Sequence, residues 1–166
     1  MEVLEKAYVN SPYGNRNGSF HTGVDVLSGC NNRKVYSPAK GKVIYVVNNF
    51  PDSEVFTEPH SGNEIRIEHG NGYITRYSHL KYNTITVNVG DIVEEGTVIA
   101  EEGMSGYATG VHLDFELWKD GNYKYVDPTD VALGKVRLPD YIVSSSKSVE
   151  ELANEVIKGL WGNGVD

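Results

Sequence analysis

Short runs of alternating apolar and polar residues fill most of the chain, and Gly, Pro or Asn closes each run. Successive side chains on a strand point to opposite faces, so this alternation predicts half-buried strands. It is plainest at Lys34–Tyr36, Val43–Val47, Glu64–Glu68, Tyr73–Tyr77, Thr84–Val87 and Thr97–Ala100. Asn71-Gly72 separates two of these runs, and that dipeptide supplies the left-handed residues a tight hairpin needs. His69, beside the turn, is expected to face water. Asp127-Pro128-Thr129-Asp130 reads as a further turn. Residues 48–63 break the alternation with a long, acidic, Pro-containing loop, and such loops inside compact domains often carry function. His60 within it reads as a solvated loop residue.

The period changes near the C-terminus. Residues 137–147 read as a linker, and Ser148-Val149-Glu150-Glu151 is a capping box that starts a helix. Val149, Leu152, Ala153, Val156, Ile157, Leu160 and Trp161 then follow helical spacing until Gly162 and Gly164 stop it. One such helix cannot bury its apolar stripe alone. The chain therefore divides into a β domain over 1–136, a linker over 137–147 and a helical tail over 148–166.

Composition supports the β reading, because eighteen Gly and eleven Tyr among 166 residues suit a turn-rich sheet protein better than a bundle. A net charge of −8 excludes the basic surface that nucleic-acid binding requires. No apolar run approaches the ~18 residues that span a membrane, and the N-terminus lacks a basic-then-apolar secretion signal. Cys30 is single, so no intrachain disulfide forms, and its Ser28–Asn32 surroundings read as a polar turn rather than a nucleophile site.

Candidate chemistry concentrates in His21-Thr22-Gly23-Val24-Asp25 and His112-Leu113-Asp114-Phe115-Glu116. On an extended strand residues i and i+2 share a face, so His112 and Asp114 emerge together, and Glu116 follows them as a candidate partner of the ligands. His21 and Asp25 share a face too if their segment is extended. His79 is a third candidate histidine. Three His and two Asp on one groove form the inventory of a catalytic zinc centre, ligands plus a general base. The glycine-rich stretch Gly103–Gly110 leads directly into His112 and matches no phosphate loop. Arg16 reads equally as a group that reaches a substrate carbonyl and as a solvated loop charge.

Several blocks, in order, resemble the lysostaphin/LytM-like zinc metalloendopeptidases of bacterial cell walls. They are Ser11-Pro12-Tyr13-Gly14-x-Arg16, His21-x-Gly23-x-Asp25, Tyr73-x-Thr75-x-Tyr77-x-His79-Leu80, Val89-Gly90-Asp91-x-Val93 and Gly110-x-His112-Leu113-x-Phe115-Glu116. The resemblance runs from about residue 9 to 131. It implies an all-β fold of mostly antiparallel sheets forming a long groove (a duplicated hybrid motif), here followed by a short C-terminal helix. It also implies one zinc ion and hydrolysis of peptide cross-links or stem peptides of bacterial peptidoglycan, with 1–136 as the peptidase domain.

Carried over by position, His21 and Asp25 match two metal ligands, and His79 and His112 match the two catalytic histidines. The family's third ligand is the second His of a His-x-His, and that position is Asp114 here. A carboxylate oxygen reaches zinc at much the same distance as an imidazole nitrogen, so Asp114 is expected to ligate. Two carboxylates nevertheless cancel the formal charge of Zn²⁺, which weakens its action on water and on a carbonyl and opens the way to a harder ion. Asn15, Arg16 and Tyr107, on the loops that wall the groove, are expected to meet substrate. The expected partner is peptidoglycan, with no nucleic acid and no membrane, acted on by a monomer.

The tail resembles the first half of a cell-wall-binding repeat of some phage lysozymes, through Val149-Glu150-Glu151-Leu152-Ala153 and Glu155-Val156-Ile157-x-Gly159-x-Trp161-Gly162-Asn163-Gly164. That implies a phage or prophage endolysin acting at the bacterial cell wall after release from the host cytoplasm. Two rival readings share some of the same blocks. A lipoyl or biotin carrier would explain Val89–Gly96 but needs a modifiable hairpin Lys that is absent. A LytM-like scaffold that lost productive zinc binding through Asp114 would keep the fold without the activity.

Overall fold

Val, Ile and Tyr alternate with polar residues over much of the chain, and a computed structural model shows those stretches as strands. It describes residues 1–52, 60–144, 153, 154, 156 and 157. In chain order the strands are β1 (Tyr8–Ser11), β2 (Gly14–Arg16), β3 (Ser19–His21), β4 (Val24–Leu27), β5 (Lys34–Tyr36) and β6 (Gly41–Val47). They continue with β7 (Asn63–Glu68), β8 (Tyr73–Leu80), β9 (Ile92–Val93), β10 (Val98–Glu101), β11 (Leu113–Lys119) and β12 (Tyr125–Val126), followed by the one-turn helix α1 (Thr129–Ala132).

The main sheet runs β1-β4-β11-β8-β7-β6-β9, with β12 also paired to β11, while β10-β5 and β2-β3 form two small ladders. Every pairing is antiparallel. The expected mostly antiparallel all-β fold is therefore present. Along β11, Leu113, Phe115 and Leu117 enter a core with Val24, Val26, Ile65, Ile67 and Tyr77, so Asp114, Glu116 and Trp118 take the opposite face. Strand parity thus decides which residues are free for chemistry.

The β7–β8 hairpin closes at the expected Asn71-Gly72, with φ of 54° and 74° at the two residues. His69 is not in water, however, being only 2% exposed. The turn folds over the start of β6, where the His69 Nδ1–H donates to the Lys40 carbonyl at 3.0 Å and Nε2 accepts from the Thr75 hydroxyl at 2.8 Å. Gly41 makes room for this ring, since a Cβ there would lie 2.9 Å from Nδ1.

Thr84–Val87 forms no strand either. It lies beside β10 through one backbone bond and two hydroxyl bonds: the Thr86 N–H donates to the Ile99 carbonyl at 3.0 Å, the Thr86 hydroxyl donates to the Val98 carbonyl at 2.8 Å, and the Thr84 hydroxyl accepts from the Glu101 N–H at 3.0 Å. At the expected turn near Pro128, Asp127 accepts from the Thr129 N–H at 2.9 Å, and α1 follows, burying Val131 and Ala132. Leu138 is buried and the Gly70 N–H donates to the Pro139 carbonyl at 2.8 Å, so the stretch after α1 is held against the domain.

Ala153, Asn154, Val156 and Ile157 are helical, as the tail's spacing predicts, and all four are exposed. The capping box at Ser148–Glu151, the end of the expected linker and the rest of the tail lie outside the described residues. So does the middle of the 48–63 loop, residues 53–59. Among the described residues no helix is long and apolar enough to cross a membrane.

Candidate metal centre

Three adjacent strands place the centre. Asp25 on β4 pairs in register with Asp114 on β11, and Asp114 pairs in register with Ser78 on β8. Strand alternation puts all three on the face away from the core. His21 ends β3 and Val24 begins β4, so the His21–Asp25 segment is not the continuous strand that shared parity assumed; Thr22 and Gly23 bend it. The bend needs Gly23, because a Cβ there would lie 2.3 Å from Asp114 Oδ1 and 2.8 Å from the Phe115 carbonyl. That is the physical content of the Gly in His-x-Gly-x-Asp.

The ligating atoms of His21, Asp25 and Asp114 lie within 4.8 Å of one another. His21 Nε2 is 3.3 Å from Asp25 Oδ1 and 3.5 Å from Asp114 Oδ1. Ligands at ~2.0–2.2 Å around a tetrahedral ion sit roughly 3.4 Å apart, so the spacing already suits a zinc-sized cation. Asp114 Oδ1 is buried with no hydrogen-bond partner, an expense a bound cation would remove. The His21 ring is oriented by Nδ1–H donation to the Pro12 carbonyl at 3.1 Å, which turns Nε2 toward the carboxylates. On these grounds His21, Asp25 and Asp114 fit a divalent metal.

Two further histidines, His79 and His112, flank this triad without entering it. His112 Nδ1–H donates to the Gly110 carbonyl at 2.9 Å, and its Nε2 faces Asp25 Oδ1 at 3.8 Å. His79 Nδ1–H donates to the Ser105 carbonyl at 2.8 Å. The two rings are 4.9 Å apart between centroids. His79 has φ of 60°, a left-handed conformation that costs a non-glycine residue energy. Its N–H donation to the Ser61 carbonyl at 2.8 Å and the Ser105 contact hold it there.

Electrostatics follow from this crowding. Burial opposes a charge on His21, but Asp114 and Asp25 outweigh it and raise its pKa to about 9. Asp25 is likewise opposed by burial, yet His21, His112 and Arg16 hold its carboxyl below the usual range. His79 is pushed down, chiefly by burial, with the Ser105 carbonyl opposing and His112 reinforcing the shift.

A second set of contacts ties the ligand-bearing segments together. The Thr22 hydroxyl donates to Glu116 Oε1 at 2.7 Å, Trp118 Nε1–H donates to Glu116 Oε2 at 2.9 Å, and Arg76 pairs with Glu116 at 3.1 Å and with Glu64 at 2.8 Å. Glu116 thus does follow Asp114 onto the groove face. Arg76 also bonds Ser61. Thr22, Arg76 and Glu64 carried no signal of their own in the sequence, since a buried ion pair between distant strands leaves no local spacing to read.

An open cleft of 210 Å³ beside the triad is lined by His60, Ser61, His79, Tyr107 and Asp114. His60 is exposed as expected, yet its ring packs edge-on against Tyr107 at 5.5 Å, and both line this cleft. Tyr107 is 54% exposed there. Asn15 is exposed on β2. Arg16 turns inward, with Nη2 3.2 Å from Asp25 Oδ2 and in contact with the His21 ring. A second hollow of 300 Å³, between Met1, Glu2, Leu4, Glu5 and Tyr36, shares none of these residues.

A mostly antiparallel groove with a His-Asp-Asp triad and two flanking histidines describes a metallopeptidase type of site. The chain belongs to peptidase family M23, whose family model matches residues 19–128. It is 42% identical over 83 residues to the peptidoglycan DD-endopeptidase ShyB of Vibrio cholerae, covering 50% of this chain and 17% of that protein. Among solved structures it is similar to a zinc-containing peptidase from Vibrio cholerae, with 32% identity, a TM-score of 0.62, and coverage of 83% of this chain and 40% of the other. It is also similar to the catalytic domain of the prophage-encoded M23 protein EnpA from Enterococcus faecalis, a point mutant, with 26% identity, a TM-score of 0.60, and coverage of 76% and 95%.

Proposed function

We propose that this chain is a zinc-dependent endopeptidase that hydrolyses peptide cross-links or stem peptides of bacterial peptidoglycan. The observation that carries the reading is the convergence of His21 Nε2, Asp25 Oδ1 and Asp114 Oδ1 beside two imidazoles that lie outside the triad. Family membership supports it, as does the similarity to relatives named for peptidoglycan endopeptidase activity. His21, Asp25 and Asp114 would hold one zinc ion, which supplies Lewis acidity toward a peptide carbonyl and toward water.

The protein's own groups handle the protons. His79 and His112 each spend Nδ1–H on a backbone carbonyl, so each neutral ring offers a lone pair at Nε2. His79, kept neutral by burial, takes a proton from the attacking water. His112, protonated at Nε2 from solvent, hydrogen-bonds the developing oxyanion and delivers that proton to the leaving amine, while His79 returns the water's proton to solvent, so both rings end the turnover as they began it. Tyr107 and Asn15 meet the flanking substrate residues, and Arg16 steadies Asp25. The resemblance of residues 148–166 to a phage wall-binding repeat supports a lysin that acts at the cell wall of its host.

Digestion of purified peptidoglycan followed by mass spectrometry of the fragments tests the reading. Fragments ending at a stem or cross-bridge peptide bond support it. Fragments cut only within the glycan, or at an amide between sugar and peptide, would overturn it.

A further inference from the structure

The third corner of the triad is a carboxylate, and its geometry has a consequence for which metal the centre prefers. Asp114 reaches the other two ligands as a full partner: its Oδ1 is 3.5 Å from His21 Nε2, buried, and without a hydrogen-bond donor. The short side chain reaches because the bend leading into β4 lies close against β11 at Gly23, whose Cα leaves no room for a Cβ beside Asp114 Oδ1. The donor set is therefore one imidazole nitrogen and two carboxylate oxygens.

Donor type controls selectivity among divalent ions. Imidazole nitrogen separates zinc from manganese strongly, along the Irving–Williams order, whereas carboxylate oxygen is a hard donor that suits manganese and magnesium well. A set with two oxygens and one nitrogen therefore ranks the same ions more narrowly than a set with two nitrogens and one oxygen. Arg16, 3.2 Å from the outer oxygen of Asp25, offsets part of the added negative charge without adding a donor to the triad.

We propose that Asp114 makes this centre a mixed-selectivity site, in which Mn²⁺ competes with Zn²⁺ far better than it would at the same centre with a second histidine. Zinc remains the tighter ligand by the Irving–Williams order. The inference rests on the metallopeptidase reading of the site but concerns binding alone.

The test is metal affinity in the full chain, with Zn²⁺ measured by competition against a chromophoric chelator and Mn²⁺ by loss of the free-ion electron paramagnetic resonance signal. The wild type is compared with Asp114→His and Asp114→Asn, each first checked for native circular dichroism. The ratio of the Mn²⁺ to the Zn²⁺ dissociation constant is expected to be on the order of tenfold larger in Asp114→His than in the wild type. Asp114→Asn, which keeps shape and loses the charged donor, is expected to weaken both ions. Equal ratios in wild type and Asp114→His would overturn the proposal. If Asp114→His does not fold, unchanged affinity of both ions in Asp114→Asn would overturn it, because Asp114 would then not ligate.

Failure here is distinguishable from failure of the enzymatic reading. A narrowed ratio without peptide-bond cleavage leaves the selectivity proposal standing and removes the activity. Chelator-sensitive cleavage with equal ratios does the reverse.

Discussion

Thr22 and Glu116, ninety-four residues apart, share a hydrogen bond of 2.7 Å that fastens the bend carrying His21 to the strand carrying Asp114. Glu116 is 2% exposed and is held in turn by Trp118 and Arg76, so the clamp is rigid at one end. A ligand on a short bend keeps its aim only if the bend is fixed, and partners of this kind matter to metal affinity about as much as some ligands do.

Thr22→Val keeps the shape of the side chain and removes this bond. Metal affinity is expected to fall by about tenfold. Folding stability should fall by only about 1 kcal/mol. Metal titration and urea unfolding of the same variant measure the two. A loss of stability without a change in affinity would show that the clamp serves the fold rather than the site.

Gly23→Ala tests the close approach of β4 and β11. The added methyl would meet Asp114 Oδ1 and the Phe115 carbonyl, so one strand must move. A destabilisation of about 1–3 kcal/mol is expected, as for overpacking elsewhere. Metal binding should weaken alongside it. Wild-type unfolding and affinity in this variant would contradict the geometry.

Substitution of the two flanking histidines is expected to separate hydrolysis from metal binding. His79→Ala and His112→Ala should each lower hydrolysis by about 10²–10⁴-fold. Metal content, measured by atomic emission on the purified proteins, should stay at the wild-type level, since neither residue belongs to the triad. Loss of metal from either variant would move that histidine into the ligand set.

His69 makes the fold sensitive to acid at a point on the β7–β8 turn rather than at the metal. Burial lowers its pKa from 6.5 to about 4, with the Lys40 carbonyl and Asp140 opposing. The unfolded chain therefore takes up a proton at this site before the folded chain does, and stability is complete above pH 6.5 and lost as pH falls toward 4. The loss amounts to about 3 kcal/mol over that window. Unfolding midpoints between pH 7 and 4 should fall less steeply in His69→Gln than in the wild type. Parallel slopes would remove His69 from the account.

Much of this was legible in the sequence, for a physical reason. Strand alternation is a local property, so the faces of β6, β7, β8 and β11 could be read off, and with them the shared side of His112 and Asp114. The same rule was less sound at His21 and Asp25, where Thr22 and Gly23 bend the chain and a close approach to β11, not parity, brings the ligands together. It missed the burial of His69 because that depends on Lys40, just before β6, and on Thr75 of β8. At Thr84–Val87 the β-branched residues suggested a strand, but a single backbone bond from Thr86 and two threonine hydroxyl bonds stand where a regular ladder would be. Arg16 was readable as a charge near the site, whereas its turn toward Asp25 was not.

His21, Asp25 and Asp114 are proposed to form a working metal centre for peptide-bond hydrolysis. The most direct measurement is the release of free amino groups from purified peptidoglycan by the wild type, with and without a metal chelator, and by His112→Ala in parallel. Steady release is expected from the wild type, abolished by the chelator, restored by added zinc and nearly absent in His112→Ala. Release that survives complete removal of metal, or no release with any divalent ion supplied, would contradict it.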